Sequence, residues 1–589
     1  MSANAFSNRL TDGAIGDILK SRAIDQAATL KVNAASPKQK KIRRYLREAG
    51  QKINAGHYRE AGSLALKALD LDENDGLGNH IAAIAMDKLD QVQLALQLYQ
   101  RALNAEPSNV EIYQNLGLLA WRIDQLDLAE KFFRLQLELA PSSPDAANNL
   151  GCVLRDNNKF DAAIEVLRAA IYSDASNALL WTAIGSTMVE MRRLDEALQF
   201  QNEAERLEPK SAKIQHNLGY ANYVSGNVDK ALEHFNRAKE LPGLRPEEAV
   251  ISEHGRALAL LSAGQLDKAW DTYEIRRHRL YPKSTAFDMA IPHWDGEDLN
   301  GKKLLLMGEQ GLGDEILFMS IVEDLLKTLG PDGKLGIGCQ DRLVPLVSRS
   351  FPDVEVKPHK TIEREGRNFR GAPALKGGEG YDFWVELASP LKLLRTDHSL
   401  FEQPNEGFFV PDMERVTHWS NVLADLGPGL KAGVLWKSQL MSVSRSKYFS
   451  PFDAWKPVLQ TPGVTWINLQ YGDCNDELDK AKAEFDVDIH VLPGIDLKND
   501  LDDLAALTKA LDLVAGPMNA TTNIAGAVGT DIWLAWSKTA WTMLGRGELL
   551  WYPNTRLFAP EDVSDWTVAM ANMAQALSER VGQTATQAA

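Results

Sequence analysis

The chain is poor in cysteine, has no long apolar run and lacks a surplus of positive charge, and each shortage closes off a class of function. Its 589 residues include three cysteines, Cys152, Cys339 and Cys474. They are far apart and form no C-x-x-C pair, so neither a disulfide framework nor a zinc site is written here. No stretch approaches the roughly 20 apolar residues of a membrane span, and the opening "MSANAFSNRLTDGAIGDILK" lacks the apolar core of a signal peptide. A cytoplasmic protein with no membrane span is the expectation. Lys and Arg number 64 against 80 Asp and Glu, a formal net charge of −16, which repels nucleic acid and anionic membrane and argues against a nucleic-acid partner. The hydrophobic content of 44% is that of a folded protein rather than a disordered one. The length suits about three or four domains.

Periodicity organises the first half. Leu116-Gly117, Leu150-Gly151, Ile184-Gly185 and Leu218-Gly219 recur at intervals of 34, and twelve residues after each glycine stand Ala129, Ala163, Ala197 and Ala231. Small residues at these places let two helices cross closely, with Phe133, Leu167 and Phe235 filling the next layer and Pro107, Pro141 and Pro209 stopping the second helix. The positions resemble the tetratricopeptide repeat, with six or seven units between about Lys38 and Arg279. Such helix pairs stack into an α-solenoid whose inner groove binds polypeptide. Asn115, Asn149 and Asn217 occupy equivalent positions one residue before the Leu-Gly pairs, and Ala183 breaks the ladder. Their amides can hydrogen-bond an extended peptide, with Trp121, Tyr220 and Tyr223 as aromatic anchors, or bridge adjacent repeats. Ahead of the repeats, Ile15 to Leu30 reads as an amphipathic capping or docking helix.

After "FDMAIPHW" the period disappears, and short apolar strands alternate with helical segments, the pattern of an α/β fold. Expected strands are Lys303–Met307, Lys334–Cys339, Val354–Lys357 and Phe383–Leu387, then Lys431–Trp436, Val464–Gln470, Ile489–Val491, Leu513–Ala515 and Asp531–Trp536. The gap from Phe401 to Leu430 divides them into two Rossmann-like subdomains facing a cleft, with ligands at the strand C-terminal ends. The stretch His359 to Gly380, "HKTIEREGRNFRGAPALKGGEG", reads as a mobile flap. The expected division is an N-terminal arm at 1–37, repeats at 38–280, a linker at 281–300, the two subdomains at 301–430 and 431–575, and a flexible tail at 576–589.

One turn stands out. "LLLMGEQGLGDEILFM" sets Gly308, Gly311 and Gly313 between an apolar strand and a helix, but the spacing is the reverse of the dinucleotide fingerprint and no P-loop Lys-Ser or Lys-Thr follows. A second strand-to-helix turn, "GPMNATTN", presents Asn519, Thr521, Thr522 and Asn523, able to bind phosphate or ribose oxygens or simply to cap the helix. Lys437, Arg445 and Lys447 follow the first strand of the second subdomain, and Gln470 ends the next.

The blocks "WDGEDLNGKKLLLMGEQGLGDEILF", "YDFWVELASPLKLL", "INLQYGD", "IDLKNDLDDLAALTKALDLVAGP" and "NIAGAVGTDIWLAW" resemble, in order, the heptosyltransferase-like glycosyltransferase module of GT-B fold that many bacteria fuse to tetratricopeptide repeats. In layout the chain is similar to the flagellin glycosyltransferases of alphaproteobacteria. The resemblance implies an inverting, metal-independent transferase with no cofactor. Its donor is a nucleotide sugar, a CMP-linked nonulosonic acid, and its acceptor a Ser or Thr of a protein such as flagellin held by the repeats. It further implies Asp314 as the base, the loop of Glu309, Gly311 and Gly313 as the acceptor side, and Lys437, Arg445, Lys447, Gln470, Asn519, Thr521, Thr522 and Asn523 as the donor side. Asp314 also suits a first-turn helix acid, and Glu309 and Glu315 are competing bases. Relatives carry Asp-Thr and a His in the second turn where Met518 and Asn523 stand here, so a second reading stays open: an inactive adaptor that binds the same partner.

Overall fold

The computed structural model describes residues 22–30, 36–282, 284–364, 367–401, 404–438, 449–561 and 565–588. The chain divides into two compact units, one running up to Ser225 and taking in Arg237–Glu248, the other comprising Gly226–Asn236 and Ala249–Ala589.

The first unit is stacked helix pairs. First helices Gly76–Lys88, Val110–Arg122, Pro144–Asp156, Ala178–Glu190 and Ala212–Val224 begin 34 residues apart. The packing follows the sequence logic. A Cβ placed on Gly117 would lie 2.4 Å from the Phe133 ring and one on Gly151 2.7 Å from Leu167, so only glycine admits the second helix at that distance. Ala129, Ala163 and Ala197 are fully buried. The second helices end at Ala105, Leu139 and Leu207, two residues before Pro107, Pro141 and Pro209, because the residue ahead of a proline is driven out of the helical region. Ahead of the repeats, Arg22–Ala28 is helical and buries Ala23, Ile24 and Ala27. The rest of the expected docking helix, Ile15 to Ser21, lies outside the described residues, as does part of the arm at 1–37.

The first helices are buried nearly all round, which alters the expected ladder. Asn115, Asn149 and Asn217 are at most 6% exposed. The Asn115 amide meets His80 Nε2 of the preceding repeat at 2.9 Å, whereas the Nδ2 groups of Asn149 and Asn217 find no hydrogen-bond partner among the described residues. Trp121, expected as an anchor for a partner, is instead fully buried against Phe133 with its indole N–H on Asp156; the hydrophobic effect outranks a surface role for so large a ring. Tyr220 and Tyr223 remain half-buried. Burial holds His80 neutral by lowering its pKa from 6.5 to about 4. The folded state therefore binds fewer protons than the unfolded one between those values, and the stability of the repeat unit is expected to fall as pH drops from about 6.5 towards 4. Replacing His80 by Gln should flatten that part of a denaturation profile taken across the same pH range.

The second unit takes in most of the last helix pair, Pro246–Ser262 and Leu266–Tyr273, and continues into parallel sheets. Strands are β1 Thr285–Phe287, β2 Lys303–Met307, β3 Lys334–Cys339, β4 Glu355–Pro358, β5 Lys360–Arg364, β6 Arg367–Gly371, β7 Phe383–Glu386, β8 Leu430–Val434, β9 Val464–Asn468, β10 Ile489–His490, β11 Leu513–Gly516, β12 Ile532–Ala535 and β13 Thr555–Phe558. One sheet is ordered β4-β3-β2-β7 and another β10-β9-β8-β11-β12-β13, all of their pairings parallel. Each reverses direction about its first strand, the Rossmann-like arrangement in which ligands bind at the strand C-terminal ends beside the reversal. The reversals lie between β2 and β7, and between β8 and β11.

Three expectations change. The supposed flap contains a hairpin, β5 with β6, which pairs through β6 with β1 in a small third sheet. β13 adds a strand to the second sheet, its signal hidden by the polar Thr-Arg start. The segment expected as a tail from 576 continues the helix Thr567–Ala588, which buries Met570, Met573, Ala576 and Leu577. No helix among the described residues is long and apolar enough to cross a membrane.

Candidate active site

Both reversal points carry a strand-to-helix turn, and the two turns touch. β2 gives way at Gly308 to the helix Leu312–Phe318, and β11 gives way at Pro517 to the helix Ala520–Ala527. Asn523 Nδ2 donates to the carbonyl of Gly313 at 2.8 Å. A Cβ on Gly313 would meet Ala520 N and Asn523 Nδ2 at 3.5 Å. Two turns 210 residues apart in sequence thus form one site.

The glycine turn is more rigid than its composition suggests. Gln310, not a glycine, takes the left-handed conformation at φ 59°, which costs a side-chain-bearing residue about 1–2 kcal/mol. Its amide is held by the buried Tyr273 hydroxyl, 2.8 Å from Nε2. Gly308 is fixed by sterics: a Cβ there would lie 2.7 Å from the Glu315 carboxyl carbon.

The three acids of the turn separate by environment. Glu309, 5% exposed, receives both arms of the Arg276 guanidinium at 2.9 and 2.8 Å and the Ala388 N–H at 2.9 Å. Glu315, 1% exposed, accepts from Gln340 N at 2.9 Å, lies 2.7 Å from His359 Nε2 and takes Arg370 Nη1 at 3.3 Å. Both are consumed in holding the turn, so neither is open to a substrate. Asp314 stays partly exposed, at the third position of its helix, and accepts the Gly311 N–H at 3.2 Å. Gly311 is itself exposed.

On the other side, several expected donor contacts serve the chain instead. Gln470 is 1% exposed, and its carbonyl accepts the N–H groups of Trp436 and Lys437 at 3.1 and 2.9 Å, tying the ends of β8 and β9 together. Thr521 and Thr522 are buried. Asn519 caps the N–H groups of Thr521 and Thr522, and Thr522 Oγ1 accepts the Asn519 N–H in return, the reciprocal arrangement that satisfies a helix start. Asn519 Nδ2 has no hydrogen-bond partner among the described residues. Lys437, a quarter exposed, is ion-paired with Glu477. Arg445 and Lys447 lie outside the described residues.

The last repeat packs against the first turn, which repeat periodicity alone did not suggest. Arg276 and Arg277 follow its second helix. Arg276 also reaches Glu274 and Ser389 Oγ, the latter at 2.8 Å, and Arg277 Nε donates to Glu386 at 2.9 Å at the end of β7. Burial raises the pKa of Glu274, but the two guanidinium groups outweigh it and hold the carboxyl at about 2. His293 Nε2 stands 2.6 Å from the other Glu386 oxygen. The signal in sequence was the Glu-x-Arg-Arg string at Glu274 to Arg277, which reads as a solvated helix end until β2 and β7 are placed beside it.

Known proteins bear on this geometry. The tetratricopeptide-repeat family matches residues 82–144, 148–212 and 183–246. Protein FlbA of Caulobacter vibrioides is 40% identical over 568 residues, which cover 96% of this chain and 94% of that protein. The chain belongs to the FlbA family. Because FlbA aligns over nearly its whole length, the family shares both the repeats and the α/β region. Solved structures with partial likeness include Pseudomonas aeruginosa PilF, 16% identical with a TM-score of 0.30 over 35% of this chain and 93% of that one. Another is YrrB, a tetratricopeptide-repeat protein with an unusual peptide-binding site, 22% identical with a TM-score of 0.25 over 33% of this chain and 98% of that one. Likenesses at such TM-scores carry no functional weight for the FlbA family.

Proposed function

We propose that this FlbA-family chain is a protein O-glycosyltransferase of GT-B, heptosyltransferase-like fold. It transfers a sugar to Ser or Thr of a protein such as flagellin recruited by the repeats; the resemblance to flagellin glycosyltransferases implies a nonulosonic acid carried on CMP. The observation that carries the reading is the junction of the two reversal-point turns through Asn523 and Gly313, with Asp314 partly exposed beside it. In the reaction, the acceptor oxygen attacks the anomeric carbon and gives its proton to the Asp314 carboxylate, while the bond to the nucleotide phosphate breaks and the electron pair leaves with that phosphate. Lys437 follows β8, the strand paired with β11 ahead of the second turn, and taking the leaving charge requires it to exchange Glu477 for phosphate. The test is mass spectrometry of Ser and Thr residues in the candidate acceptor from cells with and without this protein: added sugar mass that vanishes without it supports the reading, and unchanged mass refutes it.

A second reading, an adaptor without turnover, draws support from the capping duty of Asn519, Thr521 and Thr522 and from the Lys437–Glu477 pair. Both readings use the repeats to hold protein. The buried amides of Asn149 and Asn217 lack a hydrogen-bond partner among the described residues, at a cost of about 1–3 kcal/mol each, which a peptide reaching them would relieve. Asn149→Ala with Asn217→Ala should weaken acceptor binding several-fold by titration calorimetry, while Asn115→Ala, which breaks the contact with His80, should chiefly lower stability. Unchanged affinity in the folded double variant would return the pair to a packing role.

A further inference from the structure

A second cleft, of about 570 Å³, opens beside the β2–β7 reversal and is lined by β1 along its whole length, by Trp384 and Glu386 of β7, by Arg367, and by Glu274 and Arg277 of the last repeat. Three features point to one kind of occupant. First, β1 is the outer strand of its sheet, and its sequence Thr-Ala-Phe carries no charge. The opposite edge, β5, is exposed throughout and guarded by Lys360, Glu363 and Arg364, the usual protection against unwanted strand pairing. Among the described residues of this sheet, the β1 edge is the one left open to an added strand. Second, Phe287 and Trp384 form an apolar wall with ring centroids 5.1 Å apart. Third, the lining carboxylates are already saturated, Glu274 by Arg276, Arg277 and Ser389 and Glu386 by Arg277 and His293. Arg367, by contrast, has no salt bridge among the described residues and a buried Nε with no hydrogen-bond partner.

We propose that this cleft binds an extended polypeptide segment by strand addition to β1, with an acidic side chain on Arg367 and an apolar one on the Phe287–Trp384 wall. Main-chain hydrogen bonds supply affinity in this mode, and alternate side chains supply specificity. That the occupant is the stretch of acceptor flanking the modified hydroxyl rests on the transferase reading. The cleft is linked to the glycine turn through Arg276, which pairs with Glu274 in the cleft wall and with Glu309 of the turn.

The test is fluorescence anisotropy on the full chain with a short labelled peptide alternating valine and tyrosine around one aspartate. Two controls are the same peptide with lysine for aspartate and the same peptide with alternate amides N-methylated. The aspartate peptide should bind about tenfold or more tighter than either control, and Arg367→Glu should invert the preference so that the lysine peptide binds better. Inversion is a gain that a misfolded variant cannot produce. Equal binding of the aspartate and lysine peptides, or an unmoved preference in Arg367→Glu, overturns the proposal. If the protein glycosylates its acceptor but ignores the peptide, the cleft assignment fails and the transferase reading stands. If the peptide binds as expected and no nucleotide sugar is turned over, the cleft stands and the adaptor reading replaces the transferase.

Discussion

Asp314→Asn is expected to lower turnover on the order of a hundredfold or more, with folding, donor binding and acceptor binding retained. The substitution separates the capping contact of Asp314 from the base role proposed for it. As the third residue of the helix Leu312–Phe318, Asp314 accepts the Gly311 N–H, and the Asn carbonyl oxygen can keep that bond. A capping role alone therefore predicts at most about 1 kcal/mol of lost stability and near-normal turnover. Proton acceptance is what Asn cannot do. Initial rates with a nucleotide sugar and the acceptor protein, beside a melting curve, separate the outcomes. Near-normal turnover in a folded variant would remove Asp314 as the base. It would not promote Glu309 or Glu315, whose oxygens are held by Arg276 and by His359 and Arg370. The companion variant Lys437→Ala should weaken donor binding as well as rate, because it removes a cation from the end of β8.

The largest stability effect is expected at Arg276. Its side chain is 4% exposed, joined to Glu309 through two hydrogen bonds and to Glu274 and Ser389 by others. Arg276→Ala leaves a buried Glu309 carboxylate without its counter-charge, a loss of about 3–5 kcal/mol. Arg276→Ala combined with Glu309→Gln should recover part of that, since the second change removes the uncompensated charge. Denaturant unfolding of the four proteins gives the coupling directly. The same physics predicts that cutting the chain at residue 280, where the repeat period ends, yields an α/β fragment that does not fold. A cut that keeps Gly226 onward retains Arg276 and gives a cooperative transition. A stable, cooperatively melting fragment from 280 onward would show that the Arg276 network is dispensable.

Much of the architecture was legible because it depends on local rules. The 34-residue spacing of glycine and alanine reports helix crossings that any larger side chain would block, as Gly117 against Phe133 shows, and proline two residues after a helix end acts on backbone sterics alone. Apolar runs such as Leu304 to Met307 marked buried parallel strands. The hairpin β5–β6 escaped notice because its residues are polar and largely exposed, so no alternation of burial was imprinted on them.

For the candidate site, the sequence by itself determined which two turns to compare: two strand ends, each followed by a helix start with short polar residues or acids. It could not decide which of those side chains remain available. That depended on tertiary contacts. Arg276, Arg370 and His359 reach Glu309 and Glu315 from segments 33 to 55 residues away and leave Asp314 as the partly exposed acid of the three. Gln470 and Thr522, polar residues at strand and helix ends that read as ligand contacts, turned inward because a buried backbone N–H must find an acceptor. A polar side chain serves whichever unpaired group lies closest once the chain has folded, and which group that is depends on contacts between segments that are distant in the sequence.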